Sequence, residues 1–234
     1  MMHGRMVGRL ALVAGAWVLA AGAGGEVNAK ETAPAAHWHT LFDGKLLDTF
    51  RGWRAEGMPE GWHVVDGTLV KEGDVDDLVT KEQFGNFELE LEWKIGKGGN
   101  SGVFYRATRE YDHIYWSGPE YQLLDDANAG DGRSRLTAAA SAYALYGPPA
   151  GVVKPFGEWN KTRILVNGDH VEHWLNGTRV LSYDTTNPAI QAALRKMLPK
   201  DSGAATPLIK ESSISLQNHS SEVWFRNIKI RALP

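Results

Sequence analysis

The chain has 234 residues, with 25 Lys and Arg against 28 Asp and Glu, a formal net charge of -3, no cysteine, 26 glycines and 9 tryptophans. Hydrophobic residues at 43% and charged ones at 23% describe an ordinary globular domain and exclude disordered, collagen-like and coiled-coil chains. The balanced charge lacks the clustered Lys and Arg that phosphate backbones demand, so no nucleic-acid partner is expected. Without Cys, any catalysis must run on carboxylates, imidazole, hydroxyls, Arg or Lys.

In chain order, the first element reads as an export signal. Arg5 and Arg9 precede a short apolar run from Leu10 to Ala21, and Ala21-Gly-Ala23 and Val27-Asn-Ala29 offer small-residue cleavage sites. The run is too short to cross ~30 Å of hydrocarbon as a stable helix, so no stable membrane span is expected after cleavage. The expected organisation is a signal peptide over 1–29, a flexible lead-in over 30–40 and one domain over 41–234, placed in the periplasm or the medium.

The remainder reads as strands and tight turns. Phe87 to Ile95 alternates strictly, with Phe87, Leu89, Leu91, Trp93 and Ile95 on one face and Glu88, Glu90, Glu92 and Lys94 on the other. That is a half-buried antiparallel strand with a solvated acidic face. Asp66-Gly67, Asn167-Gly168 and Asn176-Gly177 each predict a hairpin turn with positive φ at both central residues, which makes Thr162 to Tyr183 a meander. Further strands are expected at Trp62–Val65, Thr68–Lys71, Gly102–Ala107, Glu120–Asp125, Ser213–Gln217 and Val223–Arg231. One helix is expected near 188–198, opened by Pro188 and closed by Pro199. Such evenly spaced strands argue for an all-β fold, an antiparallel two-sheet jelly-roll sandwich.

Function should lie where polar residues interrupt apolar faces, because side chains two apart in a strand share a face. Glu120 and Gln122 point together, with Asp125 closing the run. Ser215, Gln217 and His219 share a face, Arg106 shares one with Phe104, and Arg226 has the parity of Ile228 and Ile230, which directs it inward. A sheet face offering Arg, Glu, Gln and His, with Trp and Tyr as stacking partners, suits a sugar. The histidines show no metal spacing: His170 and His173 lie on opposite faces and His37 and His39 near the flexible start. Asp74, Asp76 and Asp77 lack the EF-hand pattern and read as a solvated acidic turn.

Leu41-Phe-Asp-Gly44, Asn100-Ser-Gly102 with Tyr105-Arg106, Glu120-Tyr-Gln122 with Asp125, Gly157-x-Trp-Asn160, His173-x-x-Asn-Gly177, Leu216-Gln-x-His219 and Phe225-Arg-Asn-Ile228 resemble, in that order, the 3-keto-disaccharide hydrolase family. The resemblance implies a concanavalin A-like lectin/glucanase sandwich and cleavage of 3-keto-glycosides by C2 proton abstraction, elimination at C1 and hydration. It implies a base in Glu120 or His219, enolate stabilisation by Arg106 and leaving-group assistance by Asp125. Asn100, Gln122, Gln217, Tyr146 and Trp159 are then substrate-binding residues. The substrate would be a small carbohydrate supplied by a sugar 3-oxidising dehydrogenase; no cofactor is legible, and a divalent metal is left open. The chain departs from the family in an alanine-rich stretch from Arg133 to Tyr146 and in Asn218, where an acid is common. Two other readings use the same residues: a noncatalytic lectin-like module, and a conventional hydrolase of unoxidised glucans.

Overall fold

The computed structural model describes residues 37–45, 47–200, 208–219 and 221–234, so the expected signal segment lies outside the described residues. The strands are β1 (His39–Phe42), β2 (Phe50–Gly52), β3 (Trp62–Val65), β4 (Thr68–Lys71), β5 (Leu78–Thr80), β6 (Phe87–Ile95), β7 (Asn100–Phe104), β8 (Glu120–Leu124), β9 (Asn160–Asn167), β10 (His170–Leu175), β11 (Thr178–Asp184), β12 (Ser215–Leu216) and β13 (Val223–Ala232). One helix, α1 (Pro188–Met197), sits where expected, the Asn187 side chain accepting from the Ala189 amide at 2.9 Å to cap it. The chain enters the sheet earlier than the expected domain start: β1 pairs with β13 from His39, which takes the last residues of the lead-in into the fold.

Two antiparallel sheets stack face to face. The larger runs β11-β10-β9-β6-β13-β4-β3 with β1 beside β13, and the smaller runs β2-β5-β12-β7-β8. Between them lies an apolar core in which Phe87, Leu89, Leu91 and Trp93 of the alternating strand meet Val103, Tyr121 and Leu123. Asp66 with Gly67 and Asn176 with Gly177 take positive φ as the turn dipeptides predicted. The third hairpin forms differently: Asn167 pairs with His170, and Gly168 alone of the two loop residues has positive φ, the glycine-first turn.

The acidic row on β6 faces outward and is matched rather than merely hydrated. Glu88 bonds Arg163 and Arg231, Glu90 lies 3.0 Å from Lys161 and 3.2 Å from Lys229, and Glu92 bonds Arg226 at 2.7 Å. Arg226 therefore departs from its expected inward direction. Asn227 adopts φ 52 and shifts the register between Arg226 and Lys229, so the parity read back from Ile228 and Ile230 fails at this bulge.

Inside the sandwich one polar network is fully paired. His173 Nδ1–H donates to the Ala140 carbonyl at 3.0 Å, its Nε2 lies 2.8 Å from the Tyr105 hydroxyl, and Tyr105 lies 2.7 Å from the Tyr183 hydroxyl. Burial pushes His173 down to about 4, so the ring stays neutral and can accept at one nitrogen while donating from the other. The bond to Ala140 anchors the loop that zips along β8, where Tyr143 N–H donates to the Glu120 carbonyl at 3.0 Å and Ala140 N–H to Gln122 at 2.8 Å.

Candidate active site

The outer face of the smaller sheet forms the floor of a cleft of about 780 Å³. Strand alternation decides what lines it: Tyr121 and Leu123 turn into the core, which leaves Glu120 and Gln122 facing out beside Asn100, Phe104 and Gln217. His219 and Asn218 border the cleft as the chain leaves β12. Lys71, itself buried, donates to the His219 carbonyl and fixes that segment. Burial lowers the Lys71 pKa, with Asp74, Asp77 and Glu222 pulling it back up.

Glu120 is the unusual group. It is 8% exposed, its carboxyl has no hydrogen-bond partner among the described residues, and it occupies the space that a side chain at Gly102 would fill. Burial first, then the Asp77 and Asp131 carboxylates, push it up to about 8. Asp77 is itself pushed up to about 6 by burial, although the Asn218 amide donates to it at 2.5 Å and opposes the rise. Asp131 accepts from Asn100 Nδ2 at 3.3 Å.

Around this carboxyl, buried polar atoms lack partners among the described residues: Trp53 Nε1, Asn100 Oδ1, Gln122 Oε1 and Gln217 Oε1. Such orphans normally cost free energy, and a bound polyhydroxyl ligand is the kind of partner that would satisfy them. One wall is aromatic, with His113 stacked on Tyr115 at 4.9 Å and Trp116 edge-on to His113 at 4.7 Å.

Of the expected site residues, Glu120, His219, Asn100, Gln122 and Gln217 meet in the cleft. Four others lie elsewhere. Arg106 adopts φ 56, which breaks the strand parity it was read by, and its guanidinium donates to the Gly168 carbonyl. Asp125 is buried as a loop brace, accepting from the Gly98 amide at 2.8 Å and Asn128 Nδ2 at 2.7 Å. Tyr146 packs against Tyr183 at 5.6 Å. Trp159 lies under Arg226 and Lys94 on the ion-paired outer face of the larger sheet. Conversely Asp74, Asp76 and Asp77, read as a solvated turn, border the cleft, and Asp131, Trp53 and the 113–116 aromatics join them. The dense His113-Ile-Tyr-Trp116 run just before Glu120 was the available signal for that wall. Among the described residues no cluster of three or more His, Asp or Glu is placed to hold a metal ion, and no described helix is long and apolar enough to cross a membrane.

Fold and cleft together define a sandwich of the lectin and glycosidase type. The 3-keto-alpha-glucoside-1,2-lyase-like domain matches residues 37–231, and the chain belongs to this family. A 3-keto-disaccharide hydrolase of Bacteroides thetaiotaomicron is 37% identical over 227 residues, which cover 83% of this chain and 78% of the relative. A crystal structure of a candidate glycosyl hydrolase from Parabacteroides distasonis superposes with a TM-score of 0.75 at 31% identity, covering 84% of this chain and 94% of that one. A Bacillus subtilis protein with a galectin-like fold is similar in fold alone, with a TM-score of 0.51 at 12% identity over 83% of this chain and 94% of that one. These relations make the chain a hydrolase of the family.

Proposed function

We propose that the protein cleaves 3-keto-glycosides by elimination and hydration. The observation that carries the reading is the buried Glu120 carboxyl, without a hydrogen-bond partner among the described residues, on the floor of a cleft whose amide oxygens are likewise unsatisfied among them, in a chain 37% identical to a 3-keto-disaccharide hydrolase. A ketone at C3 acidifies the C2 hydrogen, so no oxocarbenium ion is needed. Glu120 takes the C2 proton, the enolate re-forms the ketone as the C1–O bond breaks, and the Glu120 proton passes to the departing oxygen. Water then adds across the enone, hydroxyl to C1 and proton to C2. A carboxyl pushed up to about 8 is a stronger base than an ordinary one and is still ionised in part at neutral pH. With Arg106 directed elsewhere, His219 takes the enolate oxygen, and Asn100, Gln122 and Gln217 accept substrate hydroxyls.

The substrate of such an enzyme must come from a dehydrogenase that oxidises the C3 hydroxyl of a sugar. Export follows from the Arg5 to Ala29 pattern, and the mature protein should begin at Lys30 by mass spectrometry. A specific observation favours one alternative: Asp77 and Asp131 lie close enough to raise Glu120, and paired carboxylates are the equipment of conventional glycoside hydrolysis. One assay separates the two. The protein is offered a glucoside and its 3-keto derivative, with and without chelator and added divalent metal, and products are followed by chromatography and enone absorbance. Turnover of the keto form alone is expected. Release of glucose from the unmodified glucoside would overturn the proposal, and loss on chelation would reveal a metal requirement.

A further inference from the structure

The cleft is not uniform along its length. Three residues of β7 share the cleft side of the sheet, Asn100, Gly102 and Phe104, of which Asn100 and Phe104 line the cleft, and they pair with Leu124, Gln122 and Glu120 respectively. At about 3.3 Å per residue, Asn100 and Phe104 lie roughly 13 Å apart, more than one sugar ring. Gln217 N–H donates to the Gly102 carbonyl at 2.8 Å, and Asn100 Nδ2 reaches Asp131, so amides and a carboxylate occupy the Asn100 end. The other end is aromatic and is bordered by the exposed Arg54–Asp112 ion pair. Phe104 packs with Trp53, Val79 and Ile114, and beyond it the loop following β7 raises the His113, Tyr115 and Trp116 rings. Tyr115 is 45% exposed, with its ring stacked on His113 at an interplanar angle of 15° and Trp116 edge-on to it at 5.8 Å. Glu120, level with Phe104, stands at the boundary between the two ends.

We infer that the cleft is divided at Glu120, with the 3-keto ring over the Asn100, Gln122 and Gln217 floor and the leaving group against the His113, Tyr115 and Trp116 wall, so that leaving groups with a flat apolar ring face are preferred. This rests on the functional reading above and names its leaving-group class. The unsatisfied amide oxygens suit a ring whose hydroxyls must be held, whereas the aromatic wall presents ring faces to the C–H side of a second pyranose and, in Trp53 Nε1, a donor for one of its hydroxyls. A cleft of about 780 Å³ lies within the range of sites that enclose multi-ring ligands.

The test measures kcat/KM for a 3-keto-disaccharide and for methyl 3-keto-glucoside of the same anomer, and takes their ratio for the wild type, Tyr115→Ala and Tyr115→Phe. The ratio compares two substrates in one enzyme preparation, so partial unfolding cancels. The wild type should favour the disaccharide, Tyr115→Ala should lower the ratio by about 10-fold, and Tyr115→Phe, which keeps the ring face, should preserve it. An unchanged ratio in Tyr115→Ala would overturn the inference, as would an equal fall in Tyr115→Phe, which would assign the preference to the hydroxyl. Turnover of neither substrate by the wild type would instead remove the functional reading itself.

Discussion

Glu120→Gln is expected to lower kcat/KM on a 3-keto-glucoside by about 100-fold or more, the usual scale for a general acid–base group, while the fold is retained. The amide fills the same space beside Gly102 and cannot accept the C2 proton. The pH dependence carries the sign. Burial, with Asp77 and Asp131 beside it, raises this carboxyl to about 8, so its basic form grows as pH climbs through neutrality, and wild-type kcat/KM should rise until about pH 8. Stability should move the other way. In the unfolded chain the group loses its proton near its ordinary value of 4.5, while the folded protein holds it until about 8, so the folded state binds the extra proton between those limits and stability falls as pH rises across them. A shift of that size corresponds to a cost on the order of a few kcal/mol once the group is ionised. Glu120→Gln removes it, so the variant should exceed the wild type in Tm at pH 9 by more than at pH 4. Near-normal turnover in the variant, with an unchanged pH profile, would end the assignment of Glu120 as the base.

Gly102→Ala should be nearly as damaging, for a reason of space alone. A Cβ at this position would lie 2.2 Å from Glu120 Oε1 and 2.9 Å from both Cδ and Cγ. The contact cannot be relieved by rotating the methyl, so the carboxyl must leave its place, and a displacement of about 1 Å from reacting atoms is enough for a loss on the order of 100-fold. The backbone here is ordinary strand, paired to β8 at Gln122, and alanine is compatible with it. Circular dichroism should therefore report an intact fold. The two substitutions act on one group, so Gly102→Ala in the Glu120→Gln background should add little further loss. Full activity in Gly102→Ala, or a multiplicative loss in the double variant, would show that Glu120 does not work from the position it holds beside Gly102.

Much of this arrangement is legible in the amino-acid sequence. Strict alternation placed β6 from Phe87 to Ile95, and the Asp-Gly and Asn-Gly dipeptides placed hairpins, because both signals are local: a period of two and a need for positive φ act through immediate neighbours. The same arithmetic put Glu120 and Gln122 on one face and Gln217 with His219 on another, and the sheet brings those faces into one cleft. It failed where one residue leaves the strand conformation. Asn227 at φ 52 reversed the parity of Arg226, and φ 56 at Arg106 sent a guanidinium expected over the floor to the Gly168 carbonyl.

Tertiary structure alone decided the rest. That Asp125 braces a loop while Asp77 and Asp131 crowd Glu120 depends on which segments the sheet order brings together, and β5, β12 and β8 are far apart in sequence. The raised Glu120 carboxyl has the same origin, since desolvation is set by everything packed around a group rather than by its neighbours in the chain. The residue types and their faces were thus a property of the sequence, read through strand periodicity. Which of those faces lost water, met other carboxylates and gained an aromatic wall was determined by long-range packing, which periodicity does not encode.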